Sequence, residues 1–287
     1  MTTRAYAKIN LDLRLGTRRP DGYHPIDTFL VRVNVFDTLH AEVTADGKCT
    51  LMIDGDSHLS SGPDNLVIRA AQLLQRSAPQ GAGASLRLEK KIPQGAGLGG
   101  GSSDAASALL LMRKLWRTNH TDRELADLGA KLGSDVPFFL QPHAARATGR
   151  GEILEPVPLQ HLPWALLIHP GFPSPTAQAY TNYSKQPGPG NEGRPLLLTQ
   201  MNGSALTIHP RNDLERAVES RFLWIRAARE WLQIQPNVLA ARMSGSGSTV
   251  FAILNSEVEA VRVAEAARTH LGNEAWMKVA QLISGLE

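Results

Sequence analysis

Between Gln94 and Leu111 the chain reads QGAGLGGGSSDAASALLL, in which five of the seven residues from Gly95 to Gly101 are glycine and a strong helix former follows at once. Glycine loses more conformational freedom on folding than any other residue, so the backbone path there must demand it. Gly95, Gly97 and Gly100 satisfy the spacing GxGxxG of dinucleotide folds, but the context is wrong. The preceding strand pattern carries Arg87, Glu89, Lys90 and Lys91 and ends at Pro93, where a central parallel strand is nearly all apolar. Asp122, the acidic residue about 20 positions on, falls between two helical patterns and not at the end of a second strand. A Walker A loop needs a lysine after its last glycine, and here Ser102 and Ser103 come directly. What remains is an anion cradle: converging backbone N–H groups, serine hydroxyls as donors or caps, and the positive end of a helix expected over Ser103–Trp116. A flexible loop before a capped helix would explain any one of these residues; five glycines joined to two serines favour the cradle.

The rest of the chain alternates strand and helix patterns. From Ala5 to Leu15 apolar residues interleave with Lys8, Asn10, Asp12 and Arg14, a half-buried strand with Lys8 and Asn10 on one face. RRPDGYHP is a turn. Strands are expected around Leu30–Val43 and Cys49–Ile53, a helix over DNLVIRAAQLLQRS starting at Asp64 or Asn65, and a strand over SLRLEKKIP. A second helix is expected at Asp122–Leu132 and a short turn at Ser134–Phe139. Residues 143–160 look irregular apart from a hairpin turn at Gly149 and Gly151, the natural place for a crossing between domains. WALLIH, a helix over Asn212–Trp231, strands near Val238–Met243 and TVFAIL, a helix over SEVEAVRVAEAARTHL and the strand AWMKVAQLI make the βαββαβ order of a ferredoxin-like domain. The stretch PTAQAYTNYSKQPGPGNEGRP is expected as a surface excursion inserted in it.

Bulk properties narrow the class. Among 287 residues, 30 Lys and Arg against 27 Asp and Glu give a net charge of +3, a weak bias that suits an anionic small molecule better than a nucleic acid. Cys49 is the only cysteine, which excludes an intramolecular disulfide framework and a multi-thiolate zinc site. The start lacks a signal-peptide segment, and runs such as ALLLM are too short to cross a bilayer. A cytoplasmic protein without membrane or nucleic-acid partner is expected.

Three segments spread over the chain resemble the GHMP kinases. PxGxGLGGGSSDAA resembles that family's phosphate-loop signature, AYAKINLDLRL its first motif, and RMSGSGSTVFAIL its third. The resemblance implies an α+β, two-domain fold: a ribosomal-protein-like ATP-binding domain over residues 1–155 and a ferredoxin-like domain over residues 156–287. It implies ATP and Mg2+ as cofactors. RPDGYH, DNL, LGSDVPFF, GRGE and the pair Asn212-Asp213 further resemble a branch whose small-molecule substrate is a cytidine diphosphate methylerythritol. A mevalonate-like or sugar substrate is the alternative within the family, and a nucleic-acid-binding module the alternative outside it. A monomer or homodimer is expected.

Carried over to this chain, the resemblance nominates Asp135 as general base and Lys8 as its partner. Gly95, Gly97, Leu98, Gly99, Gly100, Gly101, Ser102 and Ser103 would hold the ATP phosphates, with Asn65 toward the adenine. Asn10, Tyr23, His24, Thr176, Tyr180, Gly245 and Ser246 would meet the substrate, together with Asp135. Tyr23 and Tyr180 would sandwich the cytosine, with Phe172 the alternative to Tyr180. Capping explains Asp135 and Asn65 equally well when each is taken singly, and a solvated sheet face explains Lys8. No residue pair presents itself as a direct metal ligand.

Overall fold

A computed structural model describes residues 1–285. The chain forms two compact units, each assembled from several segments. Met1–Ala7, Val35–Ile92 and Gly99–Gln141 make the first; Lys8–Asn34, Pro93–Leu98 and the described residues from Pro142 make the second.

The elements up to Gln141 are β1 (Thr2–Leu15), β2 (Ile26–Thr44), β3 (Cys49–Asp54), α1 (Leu66–Gln75), β4 (Gly83–Glu89), α2 (Gly100–Leu115), α3 (Asp122–Leu132) and α4 (Val136–Leu140). In the first unit the second half of β2 pairs antiparallel with β4, from Thr38 opposite Glu89 to Thr44 opposite Gly83, and β4 pairs in parallel with β3. Helices α1 to α4 pack on one another, and α1 also lies on β3. Their starts are written locally. Asn65 caps α1 by accepting the Val67 N–H at 2.9 Å, and Thr121 with Glu124 forms a reciprocal capping box at α3.

Helix α2 begins at Gly100, earlier than the expected Ser103, and neither serine caps it. Gly99, at φ 70, takes the cap position in the left-handed region that glycine enters without a Cβ penalty. Ala105, Ala106, Ala108 and Leu109 are fully buried, which explains the small residues: they let α2 sit in the middle of its neighbours.

The second unit adds β5 (Ala144–Gly149), β6 (Ile153–Val157), β7 (Leu159–Gln160), β8 (Trp164–His169), α5 (Thr176–Lys185), β9 (Leu196–Gln200), β10 (Ala205–Ile208), α6 (Glu215–Glu219), α7 (Leu223–Gln233), β11 (Ala240–Met243), β12 (Val250–Leu254), α8 (Glu257–Leu271) and β13 (Trp276–Ile283). Strands β11-β12-β8-β13 lie side by side, all antiparallel. That is the expected split βαβ arrangement, with β8 paired on both sides and its apolar residues Ala165 to Ile168 wholly buried.

Three local expectations are corrected. The supposedly irregular segment is ordered into strands β5 and β6 on either side of the expected turn, which closes where the Gly151 N–H meets the Thr148 carbonyl at 3.0 Å. The proline- and glycine-rich excursion contains α5 and leads into a small sheet, β10-β9-β7. The helix expected from Asn212 is broken into α6 and α7, because Phe222 leaves the helical region at φ −118, ψ 79. Arg229 of α7 then reaches back to Glu219 of α6 with two bonds, 2.6 and 3.1 Å long.

That ion pair belongs to a buried group. Glu215 accepts the Met243 N–H at 2.8 Å, and Arg242 donates to the carbonyls of Pro210, Ala241 and Asn191. Burial pushes the Glu215 carboxyl up from 4.5 to about 7, against the pull of Arg242 and Arg229 and with a push from Glu219. The folded state thus holds this proton more tightly than the unfolded one. Its stabilising contribution is whole below about pH 4.5 and is lost as pH rises toward 7. Relative to Glu215→Gln, which keeps an oxygen for Met243, the parent should lose up to roughly 3 kcal/mol of stability from pH 5 to pH 8. Urea unfolding of both proteins across that range checks this; a constant difference would remove Glu215 as the titrating group.

Candidate active site

In the second unit, three segments distant in sequence are bonded to one another: β1, residues 95–98, and the turn from Ser244 to Ser248. On β1, Lys8 and Asn10 share a face because strand side chains alternate, and both are buried. Lys8 Nζ donates to Asn10 Oδ1 at 2.6 Å, Asn10 Nδ2 donates to Thr28 Oγ1 at 2.8 Å, and the Thr28 hydroxyl donates to the Asp12 carbonyl at 2.5 Å. Of the two ends of an amide only the oxygen can accept from an ammonium, so these bonds fix which way the Asn10 amide faces. Asn10, expected at the substrate, spends its oxygen on aiming Lys8. Further along, the Asp12 carboxylate accepts the Phe29 N–H at 2.6 Å and faces Arg146 at 3.3 Å. Burial raises its pKa, with Arg146 opposing.

The glycine segment is held by its carbonyls. Gly95 O accepts from Ser174 N–H at 3.1 Å, Ala96 O from Thr249 N–H at 3.1 Å, Gly97 O from the Ser244 hydroxyl at 2.9 Å, and Leu98 O from Lys8 N–H at 2.9 Å. With these four oxygens bonded inside the protein, the segment can meet an anion without setting its own carbonyls against it. A Cβ on Gly95 would lie 2.6 Å from Pro173 Cβ, and one on Gly97 would collide with the Ser244 carbonyl oxygen.

The turn after β11 closes the arrangement. Ser244 Oγ also accepts from Asn10 N–H at 3.3 Å, and a Cβ on Gly245, at φ 56, would stand 3.2 Å from Asn10 Oδ1 and 3.5 Å from Lys8 Nζ. Ser246 and Thr176 share a hydroxyl–hydroxyl bond of 2.8 Å. Lys8, Asn10, Gly95, Gly97, Leu98, Thr176, Gly245 and Ser246 are thereby brought together.

A second cluster in the same unit surrounds His24. Its Nδ1 lies 3.0 Å from the Gly16 carbonyl, which can only accept, so Nδ1 carries a proton. Nε2 faces the Ser184 hydroxyl at 2.8 Å. The Tyr183 ring meets His24 edge-on with centroids 5.2 Å apart, and Tyr180 lies tilted at 6.3 Å. Tyr23 is more than half exposed, with the Arg150 guanidinium 5.3 Å over its ring. Phe172 is engaged elsewhere, stacked on Phe222.

The first unit holds the remaining expected residues. Asn65 uses its oxygen to cap α1 and its amide to donate to Ser60 O at 2.7 Å. Gly99 turns the chain into α2, and a Cβ on Gly100 would press on Ile92 at 3.0 Å and on Lys90 Nζ at 3.3 Å; Gly101 has ordinary room. Ser103 is buried and Ser102 partly so. Beneath this turn Lys90 bridges Asp37 at 2.5 Å and Asp104 at 2.8 Å, all three buried. Burial drives the Asp104 carboxyl well above its usual range, with Lys90 opposing. Asp135 occupies the cap position of α4 but makes no capping bond, while Val136 to Phe139 behind it are buried. Capping is therefore not the work of Asp135.

Four residues of these clusters carried no role in the sequence: Thr28, Ser184, Ser244 and Asn212. Only the last two sit in recognisable motifs. Each of the four has at least one partner remote in the chain.

The order of elements and these loops define a class. The family GHMP kinases N terminal domain matches residues 65–142, and GHMP kinases C terminal matches residues 196–273. A homoserine kinase from Cytophaga hutchinsonii, 14% identical, shares the fold at a TM-score of 0.69, covering all of this chain and 96% of its own. More specific likenesses follow. The 4-diphosphocytidyl-2-C-methyl-D-erythritol kinase of Methylacidiphilum infernorum is 38% identical over 97% of this chain and 96% of its own length. That of Chromobacterium violaceum is 40% identical over 90% and 88%. A crystal structure of a 4-(cytidine 5'-diphospho)-2C-methyl-D-erythritol kinase superposes at a TM-score of 0.80, with 36% identity, 99% of this chain and 100% of that one covered. The chain belongs to the GHMP kinases, in the family of 4-diphosphocytidyl-2-C-methyl-D-erythritol kinases.

Proposed function

We propose that this chain transfers the γ-phosphoryl group of ATP to the 2-hydroxyl of 4-diphosphocytidyl-2-C-methyl-D-erythritol, giving the 2-phosphate and ADP, a step of non-mevalonate isoprenoid biosynthesis. The observation that carries this reading is the buried junction of Lys8 and Asn10 with Gly95–Leu98 and Ser244–Ser248, in a chain 38% identical to a kinase so named. Phosphoryl transfer asks a protein mainly for positioning and charge stabilisation. Gly95 to Gly101 with Ser102 and Ser103 hold the phosphates, Gly245 and Ser246 border them, and Asn65 borders the adenine. The Lys8 ammonium, aimed by Asn10, stabilises charge on the transferred group. Asp135 takes the proton of the 2-hydroxyl as the new P–O bond forms and the bond to ADP breaks.

Serine hydroxyls and backbone amides suit phosphate oxygens, and an Mg2+ ion carried with ATP would be held chiefly by those oxygens and water, neutralising their charge. At the other end, Tyr23 and Tyr180 stack on the cytosine. His24, with Nδ1–H tied to Gly16, offers Nε2 as an acceptor for the exocyclic amine of the base, in the place of the Ser184 hydroxyl. A mevalonate or sugar kinase has no use for such an aromatic cluster. Among the described residues no helix is long and apolar enough to cross a membrane, and we place the activity in the cytoplasm, in a monomer or homodimer.

The test is ADP release from the purified protein with ATP, Mg2+ and the cytidyl substrate, beside mevalonate, homoserine and galactose. Turnover is expected with the cytidyl substrate alone; turnover only with one of the others would overturn the assignment.

A further inference from the structure

The buried side chain that governs the Ser244–Ser248 turn lies outside the turn, in the loop before α6. Asn212 is 1% exposed. Its Nδ2 donates both hydrogens, to Met243 O at 2.8 Å and to Gly245 O at 2.7 Å, while its Oδ1 accepts the Leu214 N–H at 2.9 Å. Every hydrogen-bonding direction but one lone pair is used, and the two carbonyls it grips stand on either side of Ser244. Asn212 itself cannot drift. Leu13 N–H donates to Arg211 O at 2.6 Å and Asp213 N–H to Leu13 O at 3.0 Å, so the backbone around it runs beside β1. The Asp213 carboxylate accepts the N–H groups of Leu15 at 2.8 Å and Gly190 at 2.7 Å.

We infer that Asn212 is a positioning residue for phosphoryl transfer: by holding Met243 and Gly245 from beneath, it sets the turn against Lys8, Asn10 and Gly97. The inference rests on the proposed reading of that turn as part of the phosphate site. Its reach is short and rigid. Gly245 leaves room for little more than a methyl group before Asn10 Oδ1 and Lys8 Nζ, and Ser244 Oγ joins Asn10 N–H to Gly97 O. A shift of the turn therefore moves the ammonium's neighbour and one glycine-loop anchor together. Glu215 assists from α6 by accepting the Met243 N–H, but it touches only the start of the turn.

Asn212→Asp tests this with almost no change of shape: both donors disappear, and an oxygen faces the two carbonyls instead. Three measurements on the full-length protein apply. The affinity for a non-hydrolysable ATP analogue should fall about tenfold, the weight of one ordinary hydrogen bond, and the KM for ATP should rise with it. The KM for the cytidyl substrate should stay within about twofold, since the His24 cluster makes no bond to Asn212. Amide exchange at Gly247 and Thr249, whose N–H groups donate to Ser244 O and Ala96 O, should accelerate while that of β12 and α8 does not. A folded variant with parental ATP affinity and parental exchange at those two amides overturns the inference. If the parent shows no kinase turnover, the functional reading fails, and the exchange measurement still decides the placement of the turn. Should Asn212→Asp not fold, Asn212→Ser, which keeps one donor, takes its place; if neither folds, Asn212 serves folding and the inference falls.

Discussion

Asp135→Asn is expected to lower kcat by about three orders of magnitude, within the range that loss of a general base produces, while ATP still binds. The amide matches the carboxylate in size and can keep a hydrogen bond to the attacking hydroxyl, but it cannot take that hydroxyl's proton. Binding energy is thus left in place and the chemical step alone suffers, so kcat and kcat/KM should fall together. Two features of the structure motivate the choice. Asp135 stands at the head of α4 without capping it, and four buried residues directly behind it fix its backbone. Lys8→Ala is its companion and should fall at least as far, since it removes a charge that Asn10 and Thr28 are arranged to aim. Steady-state kinetics with both substrates, beside calorimetric ATP binding, checks the pair. An Asp135→Asn enzyme within about tenfold of parental kcat would show the proton going elsewhere, for example straight to a phosphate oxygen.

How far the site could be read from sequence depended on the range of its hydrogen bonds. β1 was legible because its alternation is local, and the cap at Asn65 because its partner lies two residues on. The βαββαβ order followed from runs such as WALLIH and TVFAIL, whose burial forces them to be apolar. Helix α5 was hidden by the prolines and glycines around it, although only Ala179 and Tyr183 need to be buried for it to pack. The break between α6 and α7 was hidden because the continuous apolar pattern gives no sign of the Glu219–Arg229 bond that folds one onto the other. Residue roles were hidden in the same way. Ser184 meets His24 across 160 positions, and Asn212 meets its two carbonyls across 31 and 33; neither residue differs locally from a surface serine or a turn asparagine. The glycines were the exception. Gly97 announces a close approach in sequence, and only the partner, Ser244, had to come from the structure.

Gly97→Ala is the other substitution expected to be severe, and it attacks the loop by geometry alone. Gly97 sits at φ +75, a conformation that costs an L-residue about 1 kcal/mol or more. The added methyl would in addition collide with the Ser244 carbonyl oxygen and come within 3.1 Å of Gly247 O. Both obstacles are backbone, so neither can be relieved by a rotamer change. The turn bearing Ser244 is itself fixed by Asn212 and by the Ser244 N–H bond to Thr249 O at 2.9 Å, so the glycine segment must yield. If it does, the bonds from Ser244 to Gly97 O and from Lys8 N–H to Leu98 O are strained together, and the proposed phosphate cradle opens next to the Lys8 ammonium. A loss of about 2–4 kcal/mol in stability is expected, with ATP affinity reduced by more than tenfold in whatever protein remains folded. Gly101→Ala is the control. Its Cβ would find its nearest neighbour, Leu66, at 3.7 Å, and its φ carries no left-handed penalty, so it should keep parental stability to within about 0.5 kcal/mol. Urea unfolding of the two variants side by side separates steric demand from mere glycine content: equal stability would mean that the approach of Gly97 to Ser244 does not shape the loop.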